Sequence, residues 1–592
     1  MQYEFNFGTL GSAPPARAGK GSEVFRLAIL GDFSARANRG EVAVGETLAA
    51  RKPLRVDVDN LDAVLERLSI KLQLDIGGDD GTVEVEISSI DDFHPDELYD
   101  KLEIFGQLSG LRRRLTNSAT FAKAAKDVQS WLGVAVPEKP KKRKPKPRGS
   151  VVAADCKLSD FARLVDRPAA EERESLPIDQ LLRRVVGPHV VAAKDPRQDV
   201  LVAAVDAALS DTMRRVLHHP DFQATEALWR SVDMVIRRLE TGANLKIVLY
   251  DVTAEEIAAD LSSTTELEET GLYKLLVEQP ALDAQQGAVS AIVGNYLFEQ
   301  TPPHAELLGR MAKIAAAARA PFIAAISTEC LQKVDPEDVP PLITESWSAL
   351  RALPEAAYLA LTVPRFMLRH PYGKRTDSIE RFAFEEFTPE YGLRGMLWGN
   401  SAILAGLLLG LMFSKQGFKK MDLGSILTVG EMPFYYYTDA DGDQVAFPCT
   451  ERLLNERVAQ HVTSQRFLPV LAIRGRPEVR LGGLLSLAGT RLAGAWAAAV
   501  PASAPAASAK APSAAAEEPA DSSGGDSDLD AILNSLDGDA SSDAPSEAAE
   551  SGDSDLDAIL AGLSASEEKQ EEAAGGEEVD ADLAAMLAEL GG

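Results

Sequence analysis

Three places in this chain carry residue types that could do chemistry. Asp439, Asp441 and Asp443 (DADGD) supply the first three acidic positions of a calcium loop. Such a loop needs glycine at its sixth position and glutamate at its twelfth. Gln444 and Thr450 stand there instead, so the segment predicts a hairpin turn. His218 and His219 precede Pro220 and Asp221, and imidazole beside carboxylate is the material of acid–base or metal chemistry. Neighbouring side chains on a helix diverge, however, and the HExxH arrangement is absent. Gly11 to Lys20 ends in Gly-Lys without the GxxxxGK[ST] spacing of a phosphate loop, and no strand precedes it. His189, His304, His370 and His461 are scattered, and no GxSxG elbow occurs. The residues therefore predict no catalytic, cofactor or metal site. A hydrolase or nucleotide-dependent enzyme would need a site dispersed beyond recognition.

The elements that would position these residues follow from hydrophobic period. Phe25 to Leu30 (FRLAIL) is an apolar run stopped by Gly31 and Asp32, which reads as a buried strand and turn. Asp59 or Asn60 can cap a helix whose apolar face is Leu61, Val64, Leu65 and Leu68. Lys71–Ile76 and Thr82–Ile87 alternate apolar and polar residues around a Gly-Asp turn, the pattern of a hairpin. Helices follow Pro95. Further on, Leu201–Arg238 is helix-rich, Leu245–Tyr250 is strand-like, Leu308–Ala320 is an alanine-rich helix, and Pro321–Ile326 is a buried strand. Strands alternating with helices predict a partly parallel sheet. Phe434–Thr438 and Gln444–Phe447 predict a hairpin, with Trp229 and Trp398 as packing anchors. Ser401–Phe413 (SAILAGLLLGLMF) is too short to span a bilayer and predicts a buried helix. Arg365 and Arg369 stand four residues apart between two prolines, suited to internal ion pairs or to an acidic neighbour.

Charge divides the chain. Residues 501–592 hold 23 Asp and Glu against Lys510 and Lys569, about −21 of the total of −29. The remainder is unremarkable for a soluble protein, and no global basic character points to nucleic acid. Pro137–Arg148 (PEKPKKRKPKPR) mixes four prolines with seven cations, which suits an extended spacer. It lacks the aromatic residues that stack on bases. Three separated cysteines, Cys156, Cys330 and Cys449, form no disulfide framework and fit a reducing compartment. The N-terminus lacks the basic and apolar regions of a secretory signal.

The acidic tail is too poor in apolar residues to build a core, yet it repeats itself. DSDLDAILNSL from Asp526, DSDLDAILAGL from Asp553 and DADLAAMLAEL from Asp580 start 27 residues apart. Each has an apolar stripe at i, i+3, i+4 and i+7. The stripes are Leu529, Ile532, Leu533, Leu536; Leu556, Ile559, Leu560, Leu563; and Leu583, Met586, Leu587, Leu590. Such motifs suit short helices that fold on a partner.

Two stretches resemble known families. Residues 25–132, through FRLAILGDFSAR, RVDVDN and DDFHPD, resemble the small subunit of the type VI secretion contractile sheath (TssB/VipA). Residues 175–470, through LHHPDFQATEALWR, LTVPRFMLRHPYG and LWGN, resemble the large subunit (TssC/VipB). The resemblance implies a cytoplasmic, non-enzymatic sheath component. Other sheath subunits, inner tube and baseplate proteins would be its partners, with an AAA+ unfoldase for recycling. Family large subunits continue into a further aromatic-rich module, whereas Leu471–Val500 here fades into Gly, Leu, Arg and Ala. A sheath-derived accessory protein, such as a cap, baseplate adaptor or assembly regulator, is the alternative.

The expected architecture is mixed α/β. It comprises a flexible N-terminus (1–24), a small-subunit-like domain (25–135) and a basic Pro-rich linker (136–174). A large-subunit-like domain (175–497) and a disordered acidic tail (498–592) follow. The expected assembly is an oligomer without nucleic acid or membrane insertion.

Overall fold

The computed structural model describes residues 5–11, 24–77, 81–131, 198–283, 286–331, 339–438, 442–473 and 475–496. The run Pro137–Arg148, the twelve tail-stripe residues, His189, Asp439 and Asp441 lie outside them.

The small-subunit-like part contributes strands β1 (Phe25–Gly31), β2 (Leu54–Val56), β3 (Ile70–Asp75) and β4 (Thr82–Ile87). Its helices are α1 (Leu61–Leu68), α2 (Pro95–Lys101), α3 (Glu103–Thr116) and α4 (Ser118–Trp131). In the second part, helices α5 (Gln198–Leu217) and α6 (Pro220–Arg238) lead to β5 (Leu245–Asp251) and α7 (Ala254–Ser263). Next come β6 (Ala291–Phe298), α8 (Pro302–Ala318), β7 (Phe322–Ile326), α9 (Pro341–Ala352), β8 (Leu359–Val363) and β9 (Phe366–Met367). Then follow β10 (Trp398–Gly399), α10 (Ala402–Gln416), β11 (Thr428–Gly430), β12 (Tyr435–Thr438) and β13 (Gln444–Phe447). Helix α11 (Glu456–Ser464) and strands β14 (Leu468–Ala472) and β15 (Glu478–Leu481) come last among the main elements.

Nine strands form one mixed sheet in the order β11-β15-β14-β8-β7-β6-β1-β5-β2. The central pairings are parallel, while β2, β15 and β11 join antiparallel towards the two edges. β1 is a central strand: Phe25–Gly31 pairs in register with Leu245–Asp251 on one side, and Leu27–Leu30 with Ala291–Gly294 on the other. All seven of its residues are buried, as expected for a strand covered on both faces.

That placement puts the two sheath-like stretches into one sheet. The elements of both parts belong to one compact unit. Phe25, Leu27 and Ile29 face one core with Val293, Ile323 and α10. Ala28 and Leu30 face a second core with Ile292, Phe322 and α8. A run such as FRLAIL states that both faces are buried, but not which strands flank it. Helix α10 is apolar nearly all round and buried from Ala402 to Gly410, with Met412 and Phe413. It lies so close to the sheet that a Cβ on Gly406 would sit 2.6 Å from Val293 Cγ2. No helix among the described residues is long and apolar enough to cross a membrane.

Three smaller differences have local causes. Asn60 occupies the N-cap position of α1, but its side chain makes no capping bond and accepts from the Asp57 amide instead, at 3.0 Å. Helix α8 begins at Pro302, six residues before the alanine-rich stretch, because proline is tolerated in a first turn that has no intrahelical N–H bond to lose. Within the N-terminus expected to be flexible, residues 5–11 are placed against α8, and Phe7 and Leu10 pack on the second core. The strands β3 and β4 pair antiparallel as their alternation predicts, and β12 pairs with β13 as expected of the runs on either side of Asp439–Asp443.

Candidate functional site at the joint of the two parts

Three sets of side chains join the two parts. The first lies at the carboxyl ends of β1 and β5, where open α/β sheets commonly hold ligands. Here arginines fill the position. Asp32, in the turn after β1, accepts from the amides of Arg36 (2.8 Å) and Ala37 (3.0 Å). Burial pushes its carboxyl up, although these amides act against the shift. Asp251, ending β5, accepts from the Ser34 hydroxyl at 2.8 Å and pairs with Arg36 at 2.9 Å. Arg51 donates to the Asp251 carbonyl at 2.7 Å and pairs with Glu256.

Glu256 sits in the first turn of α7 in a reciprocal capping box with Thr253, which orients its carboxylate. It is fully buried and also accepts the Ala43 amide at 3.0 Å. Burial would raise its pKa, but the Arg51 hydrogen bond and the amides of Thr253 and Ala43 hold it below the ordinary carboxylate value. Asp260, one turn on, accepts from Gly45 (2.7 Å) of the first part and from Gly271 and Leu272 of the second.

The second set covers α6. Trp229 is fully buried, donates to the Phe33 carbonyl at 3.3 Å and meets the Phe33 ring edge-on at 5.2 Å. Phe93 and Phe222 make a matching edge contact at 5.6 Å. Asn38 donates to Asp221 at 2.8 Å, and Asp96 accepts the amides of Glu380 and Arg381. Trp398 is only half-buried, donating to the Leu393 carbonyl.

The third set is a buried ion cluster behind α6. Arg369 bridges Glu226 (Nε–Oε1 2.7 Å) and Glu386 (Nη1–Oε2 2.7 Å), and stacks 4.1 Å above the Tyr372 ring. Arg230 donates to Glu226 at 2.6 Å and to the Tyr372 hydroxyl at 2.8 Å. His94 of the first part packs edge-on against Tyr372 at 5.0 Å. Burial would raise the Glu386 carboxyl, yet Arg369, His218 and the Tyr372 amide hold it at about 2. The His218–Glu386 contact is 3.5 Å, long for a hydrogen bond and better described as electrostatic.

The arginines singled out in sequence both serve internal pairs: Arg369 here, and Arg365 with Glu451 at 2.9 and 2.8 Å. His219 is a helix cap, its Nδ1 accepting the Asp221 amide at 3.3 Å. His94 caps α2 in the same way at 3.2 Å, so His-Pro-Asp recurs at 94–96 and 219–221 as one capping device. That repeat was readable in sequence, as was the Thr253-x-x-Glu256 box. The roles of Arg36, Arg51, Asp251 and Asp260 had no local signal.

The joint is built of ion pairs, caps and aromatic edges, a set that fastens chain segments together. Residues 20–144 match the family described as "Type VI secretion system, VipA, VC_A0107 or Hcp2". Residues 199–487 match VipB, described as "EvpB/VC_A0108, tail sheath N-terminal domain". One chain thus carries a VipA/TssB domain and a VipB/TssC N-terminal domain, both from non-enzymatic structural sheath families. A curated relative, the type VI secretion system sheath protein TssC1 of Pseudomonas aeruginosa, is 32% identical over 287 residues. The match covers 46% of this chain and 57% of TssC1, so the chain spans little more than half the length of that relative.

Proposed function

We propose that this chain is a structural component of a type VI secretion sheath assembly in the cytoplasm, with its small and large halves united in cis. The observation that carries this reading is β1 of the VipA-like part lying between β5 and β6 of the VipB-like part. A covalent link between the halves fixes their ratio at one to one and raises their effective concentration. In this reading residues 25–135 and 175–497 are the two sheath halves, 136–174 is their spacer, and 498–592 is a recruiting tail. The partners are other sheath subunits, the inner tube and baseplate proteins, with an AAA+ unfoldase acting on the assembled form.

Two observations favour a second reading, an accessory cap, adaptor or regulator: the VipB match is to an N-terminal domain, and the separate match to TssC1 covers 57% of that relative. Electron microscopy of the purified chain mixed with inner-tube protein separates the two. Tubules around the inner tube are expected of a sheath subunit; discrete particles would contradict that role and favour the accessory. The same preparation tests the tail. Changing Leu529, Ile532, Leu533, Leu556, Ile559, Leu560, Leu583, Met586 and Leu587 to Asp removes all three stripes while keeping the acidity. We expect loss of co-purifying partners with assembly intact; unchanged partners would leave the tail with a purely electrostatic role.

A further inference from the structure

Ahead of β1, and outside both family matches, residues 5–11 (FNFGTLG) lie against the second part. Their contacts are those of a recognised peptide. Asn6 turns the chain by accepting the Gly8 amide on its side-chain oxygen at 2.9 Å, and Gly8 takes a left-handed φ of 67°. A side chain at Gly8 would press on Leu267, with Cδ2 and Cγ at 3.0 Å. Thr9 then forms a parallel bridge with Glu266: its amide donates to the Thr265 carbonyl at 2.7 Å, and its carbonyl accepts the Leu267 amide at 3.0 Å.

Helix α8 carries a receiving notch. Gly309 stands in the helix interior, where glycine is a poor choice on propensity alone. Its missing side chain is accounted for by Phe7: a Cβ there would lie 2.1 Å from Phe7 Cδ1. Arg310, one residue on and buried, donates to the Asn6 carbonyl at 3.1 Å while its other nitrogen holds the carbonyls of Leu261 and Thr264. Lys313, one turn further, donates to the Gly8 carbonyl at 2.6 Å. The notch thus reads one aromatic ring and two backbone carbonyls, while Leu267 reads Gly8 and the Thr9 carbonyl.

We propose that the groove between α8 and Thr265–Leu267 is a peptide-recognition site for an extended Phe-Gly segment, and that residues 5–11 are its occupant. The segment acts as a latch. It fastens the start of the chain to the VipB-like part independently of β1, through a contact that can open without unfolding the sheet. Backbone bonds supply the affinity, and the Phe7–Gly309 fit supplies the specificity, as in other strand-addition sites.

The test uses a fluorescent synthetic peptide of residues 1–11 and the full chain carrying Phe7→Ala, which vacates the notch. Saturable binding is expected, weakened at least tenfold by Phe7→Ala in the peptide or by Gly309→Val in the chain. No binding, or equal binding of the altered peptide, overturns the proposal. Hydrogen exchange on the unaltered chain gives a second reading that no substitution can confound. The bridge amides Thr9 and Leu267 should exchange at least tenfold faster than the amides of β1. Exchange at the same rate as β1 would make the segment an integral part of the sheet fold and no latch.

Discussion

Replacing Ile29 with Asp is expected to unfold the VipB-like part together with the VipA-like part. Ile29 is 1% exposed on β1 and faces the core shared with Val293 and α10. A carboxylate there would be buried without a partner, the kind of change that costs more than about 4 kcal/mol. If the two parts folded independently, α5 to β15 would keep their structure. With β1 between β5 and β6, they lose the strand that joins the two halves of the sheet. Circular dichroism and thermal unfolding would show a single collapse of both helix and sheet. Retention of a cooperative transition sized for residues 198–496 would refute the shared core.

The second large effect is expected at Arg369. Arg369→Met keeps the length of the side chain but leaves Glu226 and Glu386, 0% and 1% exposed, without their bridging cation. Arg230 still serves Glu226, so Glu386 is the group that loses its guanidinium partner and keeps only the Tyr372 amide and the His218 contact. Breaking a buried pair in this way costs about 3–5 kcal/mol. The sign with pH follows from Glu386, whose pKa is lowered from 4.5 to about 2. A carboxylate with a depressed folded pKa adds stability that is fully present above its unfolded value and is lost as pH falls through the folded one. The deficit of Arg369→Met is therefore largest near neutrality and shrinks between about pH 4.5 and 2. Adding Glu386→Gln should recover part of it. Denaturant melts at pH 7 and pH 3 check both statements, and a deficit independent of pH would remove Glu386 from the explanation.

Local pattern made the elements legible, while their partners stayed hidden. The alternation of Lys71–Ile76 with Thr82–Ile87 defines a hairpin because its pairing is local, as Ile70↔Ile87 and Asp75↔Thr82 show. FRLAIL has no alternation, so it announces a strand buried on both faces without naming its neighbours, which begin at Leu245 and Ala291. Two apolar runs far apart in sequence look alike whether they lie in one sheet or two. The charges behaved similarly. Arg365 and Arg369 were conspicuous by spacing, but Glu451, Glu226 and Glu386 are brought to them by the segment after β13, by α6 and by the segment after Tyr372. The N-terminal segment was hidden for another reason: a lone Phe-Gly among small residues has no period, and its recognition depends on Gly309 some 300 residues later.

Cutting the covalent link between the halves tests the shared sheet most directly. A site-specific protease sequence placed between Lys142 and Arg143, in the run that separates α4 from α5, allows the chain to be divided after folding. Size-exclusion chromatography under native conditions then compares cut and uncut protein. With β1 held between β5 and β6, the two fragments should elute as one species at the volume of the intact chain and part only in denaturant. Two separately eluting, folded fragments would contradict the account.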